Sequence, residues 1–153
     1  MPSRSGDGCI HARLSSRTTS VYFAFMAIRV VRLGSPRARN EGVRIGTVRR
    51  PPRGVAKTEL ARRDYYDVWF PILAPSAALV TLALSAGDER AWAAVVKRYR
   101  AEMKQSDASR ALDLLAALSH GADFAVGCYC EDERRCHRST LRALLAERGA
   151  AIV

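Results

Sequence analysis

Lysine is scarce in this chain: of its 25 cationic residues, 22 are arginine and only three are lysine. Positive charge therefore sits on planar guanidinium forks suited to phosphate and carboxylate, and hardly at all on flexible ammonium groups. Long apolar runs are missing too. The longest, residues 21–28, falls far short of the roughly 18–20 residues of a membrane-crossing helix, which excludes a membrane role of that kind. No secretory signal precedes the four cysteines, so they read as reduced thiols of a cytoplasmic protein rather than a disulfide framework. Internal repeats are absent. Aromatic residues do not interleave with the basic ones, as a single-strand stacking platform would require.

What is there suffices for one domain. The chain has 153 residues, 48% hydrophobic and 26% charged, enough to bury its own core. Its net charge of +10 is concentrated: residues 29–63 carry eleven cations against Glu41 and Glu59, a local excess of +9. Such a segment is either an anion-facing surface or the solvated face of an Arg-rich chain. A small anionic or phosphorylated ligand is the expected partner, and nucleic acid bound by the 29–63 segment is the competing one. No oligomeric state follows from the sequence.

Residues 1–25 are rich in Ser, Arg and Thr, with Asp7 as their one acid. This composition mimics an organelle transit peptide. Met26 opens a strand-like run, so residues 1–25 are expected to be a disordered or wrongly included extension. From there the pattern predicts strands over 28–33 and 43–48 and a rigid Arg-bearing loop at 49–54, where Pro51 and Pro52 forbid helix and central strand. An aromatic extended stretch follows at 64–73. Helices are expected from Pro75–Ser76, from a cap at Asp88 or Ser85 (Trp92, Val95, Val96, Tyr99 and Met103 on one face) and through Leu112, Leu115 and Leu118. Residues 123–130 read as a buried strand, and residues 139–149 as a last helix capped by Ser139 or Thr140. Trp69 and Trp92 are expected in the core. The order predicts a single α/β domain over 26–153, with a mostly parallel sheet flanked by helices and a Rossmann-like strand–loop–helix at its C-terminal end.

The chemistry concentrates at that junction, "FAVGCYCEDERRCHRSTLRALLAERG", residues 124–149. Cys128 and Cys130 share a face if the strand continues, with Tyr129 opposite. Three chemistries fit. In the first, Cys130 is a nucleophile whose pKa is lowered by a helix N-terminus and arginines, Cys136 resolves or assists, and His137 carries the proton. Arg49, Arg53, Arg138, Ser139 and Thr140 would then hold an anion. In the second, Cys128, Cys130, Cys136 and His137 bind zinc or iron, although Cys-x-Cys-x5-Cys-His is not a standard zinc spacing. In the third the thiols are small buried residues. The Cys-x5-Arg string from Cys136 to Arg142 lacks the glycines of a phosphatase cradle. A rhodanese-like sulfur carrier is closer in local geometry.

Four stretches carry a family resemblance: "GCYCEDERRCHRSTLRALL", "RIGTVRRPPRG", "YYDVWFPILAPS" and "WAAVVKRYRAEM". Together they resemble domain of unknown function 488, the YeaO-like family, from Met26 to the C-terminus. The specific motifs are Pro-Arg-Gly at 52–54, Leu-Ala-Pro-Ser at 73–76 and Cys-His-Arg at 136–138. The resemblance implies a small cytoplasmic bacterial or archaeal α/β protein and implies no activity. Many members carry Asp-Arg-x-Trp-Pro-Arg-Gly where this chain has Val48-Arg49-Arg50-Pro51-Pro52-Arg53-Gly54. A site built on that aspartate is therefore not implied here. The Cys-x-Cys and Cys-His-Arg residues place the chain with the subgroup that has them.

Overall fold

The structure, a computed structural model, describes residues 26–153; the extension expected at 1–25 lies outside the described residues. Four strands, β1 (Ile28–Arg32), β2 (Val43–Gly46), β3 (Val68–Trp69) and β4 (Phe124–Cys128), form one sheet in the order β1-β4-β2-β3. Every pairing is parallel. Four α-helices accompany it: α1 (Ala77–Ser85), α2 (Glu89–Glu102), α3 (Ser106–Leu118) and α4 (His137–Ala146).

β4 holds the sheet together because it is apolar along its whole length. Phe124, Ala125, Val126, Gly127 and Cys128 are all buried, as befits a central strand covered on both faces. Gly127 is required there: a Cβ would lie 2.5 Å from the Val31 carbonyl oxygen of β1. The helices supply the other half of the core through one face each. These are Trp92, Val95 and Tyr99 of α2, Leu112 and Leu115 of α3, and Leu141, Leu144 and Leu145 of α4. Asp88 caps α2 and Ser76 caps α1, and Ser76 is itself held by the Glu102 carboxylate.

Two expectations change. Residues 64–73 yield only the two-residue edge strand β3 and a 3-10 turn at Pro71–Leu73, since Pro71 lacks the donor a longer strand would use. Trp69 is not in the core. It lies on that edge, 47% exposed, with its indole N–H on the Val48 carbonyl.

The basic segment is largely consumed by the fold. Arg44 is fully buried, donates twice to Glu41, and also reaches the carbonyls of Ser35 and Asp64. Arg37 clamps Asp67 and Asp64, Arg32 meets Glu131, and Arg62 meets Glu59. The +9 excess is thus not one free cationic face.

Candidate active site at the cysteine cluster

β4 ends at Cys128, so Cys130 stands two residues beyond the strand on the way out of the core. A 3-10 turn at Glu133–Arg135 brings the chain back, and Cys136, in extended conformation, precedes α4. The helix therefore starts three residues earlier than a Ser139 cap, and four earlier than a Thr140 cap, would set it: Cys136 is the N-cap residue. Its burial at 2% exposure explains the departure from the usual cap preference. The thiol is locked into a cluster with Leu33, Val48, Leu60, Tyr66 and Cys128, and this packing fixes where the backbone turns. Ser139 is left inside the first turn, donating to the Cys136 carbonyl.

The turn gathers three sulfurs. The Sγ atoms of Cys128, Cys130 and Cys136 all lie within 4.8 Å of one another, and those of Cys128 and Cys130 are 3.5 Å apart. Cys128 and Cys136 are buried, and Cys130 is exposed. Of the three, Cys130 is the thiol whose pKa is lowered. The Cys128 thiol and then the Cys136 thiol donate to its sulfur, and the nearby Arg138 charge adds to them, holding Cys130 well below the ordinary thiol range. Donating to Cys130, together with burial, pushes Cys128 up to about 11, and Cys136 is raised by its hydrogen bonds with Cys128 first and Cys130 second, and by burial.

His137 is oriented by backbone. Its Nε2–H donates to the Thr47 carbonyl at 2.8 Å, and Tyr99 packs edge-on against the ring. The tautomer is thereby fixed and the bare Nδ1 lies 3.9 Å from the Cys136 sulfur. Burial lowers the imidazole to about 4, so it is neutral at pH 7. It faces Cys136, whose thiol is raised and keeps its own proton.

The cluster opens into a cavity of about 620 Å³. Its walls include Cys128, Cys130, Cys136, His137 and Thr140, together with Arg49 and Arg53 from the 49–54 loop. Arg49 spends its guanidinium on the Ala74 and Pro75 carbonyls, whereas Arg53 is exposed. Arg138 and Ser139 do not line the cavity. Arg138 is buried behind the loop, with one terminal nitrogen on the Glu131 carbonyl and Nε without a partner. Sequence reasoning did not single out Thr47, Tyr99 or Arg50 for the site. Arg50 had a signal, its place in the Arg-Arg-Pro-Pro-Arg loop. Thr47 reaches His137 across 90 positions, and no local pattern announces such a pairing.

Two chemistries are open to this arrangement. A stabilised, accessible thiolate with two thiol donors behind it is a nucleophile. The same three sulfurs are close enough to ligate one soft metal ion.

The family profile described as "Active DUF488-N3 subclade" matches residues 28–149. The chain belongs to the DUF488 family. No curated protein and no solved structure matches it.

Proposed function

We propose, proceeding from membership of the DUF488 family, that this protein is a thiol-dependent transferase or hydrolase whose nucleophile is Cys130 and whose substrate is a small anionic molecule held in the adjoining cavity. One observation carries the reading: three clustered thiols line a 620 Å³ cavity, and of these three only Cys130 is exposed. The Cys130 sulfur attacks an electrophilic centre of the substrate and forms one bond. The leaving group departs with the electron pair of the bond that breaks and takes up a proton. Water or a second acceptor then displaces Cys130 and restores its thiolate, with no net oxidation or reduction. Cys136 and His137, with the thiol facing Nδ1, form the proton-holding pair behind the nucleophile.

The test is alkylation by iodoacetamide across pH 4–9, with the modified cysteine identified by peptide mass spectrometry. A single fast thiol, still reactive near pH 5 and assigned to Cys130, is expected. Three thiols titrating near the ordinary value of about 8.5 overturn the reading.

The sulfur triangle favours a second reading, a metal site made by Cys128, Cys130 and Cys136, a group to which His137 does not belong. Stoichiometric zinc or iron in anaerobically purified protein, lost in Cys136→Ser, would replace the nucleophile with this site.

A further inference from the structure

We infer that the cavity beside Cys130 takes an amphipathic anion: a ligand whose anionic end is held by Arg50 and Arg53 and whose apolar body lies against α1 and α2. This rests on the cavity being a ligand site, as proposed above, and adds what kind of ligand fits.

The lining divides by chemistry. The walls from α1 and α2 present Leu79, Val80, Ala83, Leu84, Trp92 and Val95. Arg49, Arg50, Arg53 and Arg135 also line it, and among the described residues no aspartate or glutamate does. The Cys130 thiolate proposed above is the one negative group in the lining, and it is outnumbered by guanidinium groups, so the cavity favours an anion over a cation.

Bonding elsewhere decides which arginines are available. Arg49 is committed to the Ala74 and Pro75 carbonyls, and Arg135 to the Asp88 carbonyl and Glu89. Arg50 and Arg53 are exposed and make no hydrogen bond or ion pair with any described residue through their side chains. Their loop is nonetheless fixed. Pro51 and Pro52 stiffen it, Arg49 ties one end to the turn before α1, and the Tyr129 hydroxyl donates to the Arg50 carbonyl beside Cys130. A pre-formed arch thus holds two uncommitted guanidinium groups next to the thiols.

The apolar half has its own unexplained feature. α1, Ala77–Ser85, carries no charged residue, and Leu84 is 85% exposed. An apolar helix face exposed along a cavity fits a ligand with a hydrocarbon or aromatic body.

The experiment is isothermal titration with decanoate, acetate and decyltrimethylammonium on the full chain, Arg50→Ala/Arg53→Ala, Leu84→Asp and Cys130→Ser. Both arginine side chains and Leu84 project into solvent, so these variants keep the fold. Decanoate is expected to bind at least about tenfold more tightly than acetate or the quaternary amine, and to lose about tenfold or more in the double arginine variant. Leu84→Asp should weaken decanoate and leave acetate unchanged. Equal binding of the amine, indifference to the arginine pair, or a dimer in solution that Leu84→Asp dissolves overturns the inference. Cys130→Ser separates it from the thiol reading: decanoate binding should persist there, whatever becomes of thiol reactivity.

Discussion

Cys130 depends on its two neighbours more than on any formal charge. Each thiol donor removed returns the nucleophile toward the ordinary range, because the hydrogen bonds from Cys128 and then Cys136 dominate its shift. Cys128→Ala and Cys136→Ala should each slow iodoacetamide labelling of Cys130 at pH 6, with the larger loss in Cys128→Ala, read as a rightward move of the rate–pH curve. His137 gives a second residue-scale prediction. Its folded value of about 4 lies below the unfolded value of 6.5, so below pH 6.5 the unfolded chain binds the extra proton. Its contribution to stability is complete above pH 6.5 and is lost as pH falls toward 4, at up to about 1.4 kcal/mol per pH unit. Urea midpoints measured at pH 7, 5.5 and 4.5 should fall accordingly, and His137→Gln should flatten that part of the profile.

At the scale of elements, the turn between β1 and β2 is organised by a buried charge. Arg44 and Glu41 are both almost inaccessible and bonded in a two-pronged geometry. Removing one partner leaves the other charge buried, so Glu41→Ala or Arg44→Ala should cost about 3–5 kcal/mol in chemical denaturation. The double replacement by leucine should recover much of that loss, which a purely additive contact would not. The β1–β4 pairing offers a steric test. Gly127→Ala would put a methyl against the Val31 carbonyl, and a loss of about 1–3 kcal/mol is expected. Because Gly127 directly precedes Cys128, the same substitution should also disturb the sulfur cluster and slow labelling of Cys130.

For the molecule as a whole, charge placement separates a ligand site from a nucleic-acid face. Most arginines of the 29–63 segment are tied to carboxylates or carbonyls, and two of the exposed ones, Arg50 and Arg53, meet at the cavity. Titration of a random-sequence duplex by fluorescence anisotropy should therefore give weak binding with a shallow salt dependence. A slope of about −5 or steeper in log K against log salt would restore the nucleic-acid reading.

Local chemistry settled much of this in advance. Periodic apolar residues made α2 and α3 legible, Ser76 marked one helix start and Asp88 was one of two candidates for the next, and the apolar run of β4 announced a buried strand. The spacing of Cys128, Cys130 and Cys136 singled out the junction itself. Tertiary structure alone decided the rest, because those outcomes depend on groups far apart in the chain. Packing of the Cys136 thiol moved the start of α4 away from Ser139 and Thr140. A carbonyl at Thr47 chose the tautomer of His137. Which arginines remain free was set by acids and carbonyls up to 112 positions distant, as in the bond from Arg142 to the Val30 carbonyl. A sequence shows which residues can form such pairs, but only the folded chain shows which pairs form and what is left over to meet a ligand.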